Sequence, residues 1–150
     1  MTVNTIAELI PVLQTAIGPV ILISGLGLLL LTMTNRLGRT IDRSRELLEE
    51  YTDLSTTARS QVDREIIVLW KRAQYVRAAI LLATATCLGA ATIIILLFIT
   101  SLFRIEVPLL VATVFIVSMI SLISSLVFFL LDVNLTLSAL RIELEGHKRH

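Results

Sequence analysis

The chain has 150 residues, about one domain's length, with a formal net charge of +1, a hydrophobic share of 55% and a mean hydropathy of +0.86. Soluble globular domains are about 45–50% apolar, and aromatics make up only 5% here, so the excess is aliphatic. A charge so near zero supplies no global field to attract nucleic acid, and the one cysteine, Cys87, excludes an intrachain disulfide or a Cys-based metal site.

The first charge-free window runs from Leu9 to Asn35. Its length exceeds the ~20 residues that carry a helix across a bilayer core. The preceding Met1–Glu8 stretch has no Lys or Arg. A cleavable leader needs a basic start, so this window is expected to stay as a span. Pro19, after Gly18, is placed to kink or begin it. Gly18, Gly25 and Thr32 recur every seven residues on one face. In lipid, small residues let helix backbones approach closely, so Gly18 and Gly25 are candidate packing positions.

Residues 36–77 are charged, with nine basic and seven acidic side chains. Leu37, Ile41, Leu48 and Tyr51 recur near helical spacing in a first arm. Val62, Ile66, Leu69, Ala73 and Val76 do so in a second. Between them, Thr52 to Ala58 is rich in residues that turn or cap a chain, and Ser60 with Asp63 resembles a capping box. The segment therefore reads as a helical hairpin. No proline lies between Pro19 and Pro108, so nothing forces a break between either arm and its adjoining span. The charges are ordered along it. Arg36, Arg39, Arg43, Arg45, Lys71, Arg72 and Arg77 lie near the apolar windows and form a candidate collar for anionic lipid. The acids Glu46, Glu49, Glu50, Asp53, Asp63 and Glu65 dominate the tip, where a ring of subunits would gather them into a cation-attracting mouth.

A second window, Ala78 to Phe103, has small residues in its first half, among them Ala83 and Cys87, which are further candidate packing positions. Cys87 reads most simply as a small apolar side chain. The third window, Val107 to Leu131, carries Pro108 where a first helical turn tolerates it. At 100° per residue, Ser118, Ser121, Ser125 and Asp132 fall within about 60° of one another. They form a candidate polar path. The competing structural reading has the serines bonded to backbone and Asp132 paired with a basic collar residue. The tail, 132–150, reads as a continuing helix in preference to a strand.

These windows lack the polar stripe that a soluble helix presents to water. The fold expected is an all-α integral membrane protein. One membrane domain, 1–150, has spans near 9–35, 78–103 and 107–131, a cytoplasmic hairpin at 36–77 and a cytoplasmic tail from 132. Lys and Arg near span ends stay cytoplasmic, which sets the N-terminus outside and the C-terminus inside. Catalysis needs a converging base, nucleophile and charge stabiliser. Ser24-Gly25 has no histidine near it in sequence, since His147 and His150 both lie in the tail, and no metalloprotease or phosphate-loop motif occurs. No enzyme activity, catalytic residue, metal or cofactor is expected.

The run Thr34-Asn35-Arg36-Leu37-Gly38-Arg39-Thr40-Ile41-Asp42-Arg43-Ser44-Arg45 resembles a small family of bacterial membrane proteins catalogued as domain of unknown function 2721. Arg77-Ala78-Ala79-Ile80 and Asp132 followed by Leu137-Ser138-Ala139-Leu140 are similar to that family too. The resemblance implies a bacterial inner-membrane location and the three-span layout, and it supplies no activity. Two functions are compatible with the sequence: a homo-oligomeric structural or regulatory membrane protein, or an oligomeric cation or proton channel lined by the polar face of the third span. Membrane lipids, anionic on the cytoplasmic side, are the expected partners. In a Cys87→Ala background, single cysteines at Thr5 or Ile105 should react with an impermeant thiol reagent from outside. Cysteines at Ser55 or His147 should be protected until the membrane is permeabilised; labelling of Ser55 in intact cells would reverse the orientation.

Overall fold

A computed structural model describes residues 3–50, 56–104 and 107–147, and their side chains over 10–49, 62–63, 65–104 and 107–135. It contains three α-helices: α1 (Val3–Glu50), α2 (Thr56–Phe103) and α3 (Pro108–His147). All three are long and apolar enough to cross a membrane. Their most apolar windows are only 17%, 22% and 11% buried within the chain. Leu28, Leu88 and Leu109 are 70% exposed or more. In water such a surface would drive association; hydrocarbon is the solvent in which it costs nothing.

Both arms continue the neighbouring spans, since α1 passes Asn35 without interruption and α2 passes Arg77. α1 also accommodates Pro11 and Pro19 inside the helix. The tail is helical to His147. The cap at Ser60 is corrected: α2 is already helical from Thr56, so Ser60 lies inside the helix. Of the turn expected at Thr52–Ala58, residues 52–55 lie outside the described residues and 56–58 are corrected to the start of α2. At the other connection, α2 stops at Phe103 and Arg104 takes the left-handed conformation, φ 53°, as a residue just past a helix end often does. Leu110 and Val111 donate their N–H groups to the Val107 carbonyl at 3.1 and 3.2 Å. Pro108 therefore occupies the first helical position, where no N–H is needed.

The chain forms two compact units: Met1–Leu30 with Leu82–Ser124, and Leu31–Leu81 with Ser125–His150. In the first, the buried residues are mostly small: Ala16 and Leu26 from α1, Ala83, Thr86, Ala90 and Ile93 from α2, and Ser118 from α3. Ala83 and Ala90, and Thr86 and Ile93, are each seven apart, the interval that keeps one face toward a partner in left-handed helix packing. Thr86 Oγ1 donates to the Leu82 carbonyl of its own helix at 3.0 Å and reaches the Ser118 carbonyl of α3 at 3.3 Å. Gly89 lies directly against Ser118: a Cβ there would overlap Ser118 Oγ and stand 3.1 Å from Ser118 Cβ. Any larger residue here would make Ser118 turn its hydroxyl away from the Val114 carbonyl and shift, so glycine fits this crossing best.

In the second unit, Met33, Thr40 and Leu47 from α1 are buried with Leu69, Val76 and Ala79 from α2 and with Ser125 and Asp132 from α3. The α1 face expected from Ile41 and Leu48 is corrected by one position, since these two are 42% and 57% exposed. Thr40 can take the buried place because its hydroxyl donates to the Arg36 carbonyl at 3.0 Å, which satisfies its polar group within the helix. The α2 face through Leu69 and Val76 lies where the periodicity placed it.

These contacts make two glycines behave oppositely. Gly89→Ala should lower stability by about 1–3 kcal/mol through overpacking, whereas Gly27→Ala, with nothing within 4 Å of its Cβ position, should be neutral or gain up to about 1 kcal/mol in helix propensity. Thermal or denaturant unfolding of the purified protein in detergent measures both. Equal effects at the two positions would refute the close crossing.

Candidate functional site

Asp132 is the first acidic residue after the third apolar window, and its surface is 0% exposed. A lone carboxylate buried this way would be strongly disfavoured. Its neighbours provide the compensation. Arg36 of α1 places Nη2 3.2 Å from Asp132 Oδ2. Arg72 of α2 donates from Nε to Asp132 Oδ1 at 3.3 Å. All three helices thus meet at one carboxylate. The Arg36 guanidinium also lies 5.3 Å from the centre of the Phe129 ring, inside cation–π range. Both arginine side chains keep about a fifth of their surface exposed, 22% and 19%, so two positive charges meet one buried negative charge without complete desolvation.

The serine face has a definite use. In the second unit, Ser125 Oγ donates to the Ala79 carbonyl of α2 at 2.7 Å. In the first unit, Ser121 Oγ donates to the Leu82 carbonyl at 2.9 Å, and Ser118 Oγ donates to Val114 of its own helix at 2.8 Å. Ser118 is buried in the first unit, and Ser125 is buried with Asp132 in the second. Each hydroxyl ends on a backbone carbonyl, two of them across to α2.

The seven collar residues divide by environment. Arg36 and Arg72 turn onto Asp132. Arg43 bridges Glu46 at 2.9 Å and Glu65 of α2 at 3.4 Å, at half-exposed positions. Arg39, Arg45, Lys71 and Arg77 are exposed. Among the candidate packing residues, Ala83 is buried at 0%, Cys87 is half-buried, and Gly18 and Gly25 are exposed with nothing within 4 Å of a Cβ. The sequence left open which collar residue meets Asp132, and the structure brings Arg36 and Arg72 to it. Arg77 lies about 140° around α2 from Arg72 at 100° per residue. Arg72 stands four residues before Val76 and seven before Ala79, both buried, and this register was the available signal. Thr86, buried between α2 and α3, contacts both helices through its hydroxyl.

Two recesses accompany these contacts. A cleft of about 1,090 Å³ in the first unit is lined largely by apolar groups, with Thr15, Thr100, Ser101 and Arg104 as its polar members. A smaller one in the second unit, about 570 Å³, is lined by Lys71, Gln74 and three aromatic residues among others.

Three helices long and apolar enough to cross a membrane, with the charges gathered beyond the apolar windows, suggest a multi-pass helical membrane protein. Within that class, the chain matches the family described as "Protein of unknown function (DUF2721)" over residues 16–142 and belongs to it. No curated protein and no solved structure matches the chain.

Removing one partner of a buried ion pair costs more than the pair contributes, because a charge is left uncompensated. Asp132→Asn should therefore lower unfolding stability in detergent by about 3 kcal/mol, while Arg77→Gln, at an exposed position, should change it by no more than about 0.5 kcal/mol. Indistinguishable effects would remove Asp132 from its structural role.

Proposed function

We propose that the chain is a homo-oligomeric structural or regulatory protein of a bacterial inner membrane, with its N-terminus outside and residues 36–77 and the tail in the cytoplasm. The observation that carries this reading is the commitment of the buried polar groups of α3. Ser121 and Ser125 donate to α2 carbonyls, and Asp132 is closed by Arg36 and Arg72. A conduction pathway works by presenting polar groups to water and ions. These groups instead hold helices together, which favours a structural role over the conducting one.

Orientation rests on the basic residues of 36–77 and the tail. The hairpin has an exposed basic part, Arg39, Arg45, Lys71 and Arg77, and exposed acids farther along, Glu46, Glu49, Asp63 and Glu65. In this reading the bases rest on anionic headgroups and the acids face the cytoplasm, where a partner with a basic surface is recruited or sensed. Gly18 and Gly25 give the proposed contact between subunits. Open space beside them lets a helix of a second copy approach closely. Ala83 belongs to the packing within one chain, because it is fully buried there.

Size measurement in a mild detergent tests the assembly. Gly25→Leu should shift the particle to a smaller species with its thermal stability unchanged, and Leu88→Ala, on an exposed α2 position, should leave size as it is. An unchanged size with Gly25→Leu would contradict association through this face. Cation or proton flux from liposomes of the wild-type protein, above that of empty liposomes, would overturn the structural reading in favour of conduction.

A further inference from the structure

The smaller recess has a composition distinct from the rest of the surface. Trp70, Lys71, Gln74, Tyr75 and Ala78 line it from α2, and Phe128 from α3. Tyr75 and Phe128 hold its floor, with ring centres 6.2 Å apart and planes tilted by 30°. Lys71 is exposed, and Trp70 keeps 51% of its surface accessible. The volume, about 570 Å³, falls within the ~300–1,000 Å³ of small-ligand sites.

Its position along the chain is equally specific. Ala78 is the first residue of the second charge-free window, and Lys71 lies two turns earlier in the charged segment. Lys71 and Gln74 thus supply the polar and cationic part of a lining whose other members, Ile67 among them, are apolar or aromatic. Tryptophan and tyrosine favour the boundary between hydrocarbon and headgroups, where an apolar ring and a polar edge are both satisfied. A lysine ammonium binds phosphate as a point charge, and the Gln74 amide offers two N–H donors beside it. Arg36 and Arg72 turn onto Asp132, whereas Lys71 lines this opening.

We propose that this recess binds one anionic phospholipid. The headgroup phosphate sits on Lys71 and Gln74, Trp70 and Tyr75 flank the glycerol region, and the start of one acyl chain lies over Ala78 and Phe128. Charge complementarity selects this occupant: an uncharged chain leaves Lys71 unused, and a free phosphate leaves the apolar lining open. The site rests on the membrane reading given above and narrows it from a diffuse basic collar to one defined position for lipid.

Trp70 is the chain's one tryptophan, so its fluorescence reports this recess alone. The full-length protein is reconstituted into phosphatidylcholine–phosphatidylglycerol vesicles in which one or the other lipid carries bromine on its acyl chains. Bromine quenches tryptophan on contact. Brominated phosphatidylglycerol should quench Trp70 several-fold more effectively than brominated phosphatidylcholine at equal mole fraction. Lys71→Gln should abolish that preference while leaving quenching by phosphatidylcholine intact, and Arg39→Gln, at an exposed α1 position outside the recess, should preserve it. Equal quenching of the wild-type protein by both lipids overturns the site. A preference that survives Lys71→Gln, or that falls equally with Arg39→Gln, also overturns it, since the collar would then act as a whole. Loss of the signal on adding soluble inorganic phosphate would show a free anion as the occupant and exclude the lipid. Absence of quenching by either lipid, with the protein still floating with the vesicles, overturns the site and leaves the membrane reading standing; failure to float with them would refute that reading.

Discussion

A carboxylate with no exposed surface must be compensated where it lies, and Asp132 is compensated by arginines from both other helices. The three side chains come from α1, α2 and α3, so a change in the rotation of any one helix within this unit would separate a charge from its partner. The hydroxyl contacts cannot impose this alone. Hydrogen bonds between helices in a membrane average about 0.6 kcal/mol, against about 3–5 kcal/mol for leaving one member of a buried ion pair uncompensated. Arg36 and Arg72 keep some exposure, which moderates the desolvation cost that makes fully buried ion pairs poor stabilisers.

Around that constraint, each unit uses the devices that suit helices with apolar surroundings. When the surrounding medium is as apolar as the side chains, burial of leucine gives no net drive, and close contact between backbones has to supply the attraction. Hence the first unit buries alanine, threonine and serine and sets Gly89 under Ser118, while leucines such as Leu88 and Leu109 point outward. The second unit places larger residues, Met33, Leu47, Leu69 and Val76, in its interior, in the part of the chain where charged residues are plentiful and water would be excluded by their packing.

Much of the architecture was legible because charge and apolar runs are local signals. The absence of proline between Pro19 and Pro108 correctly implied unbroken helices through the ends of the apolar windows, and Pro108 marked the start of α3. The alignment of Ser118, Ser125 and Asp132 followed from helical geometry. Positions that depend on which neighbour lies opposite were harder to read. Ile41 and Leu48 outrank Thr40 and Leu47 in a search for apolar periodicity, yet a threonine bonded to its own helix is buried as readily as a valine. Seven collar residues were open to Asp132 in the sequence, and it is the rotation of α2 that brings Arg72 inward and leaves Arg77 exposed. Likewise, the seven-residue spacing of Gly18 and Gly25 is a real helix face, set one position before Leu26 and about 100° around the helix from it.

The central claim is that Asp132 and Arg72 act on each other directly and fix α3 against α2 within their unit. A double-mutant cycle with Arg72→Leu, Asp132→Leu and the combined variant isolates that interaction from the effects of each change alone. Unfolding free energies of the four proteins in one detergent should give a coupling of about 1–3 kcal/mol, with the double variant more stable than the sum of the two single losses. Strict additivity, a coupling near zero, would contradict the account.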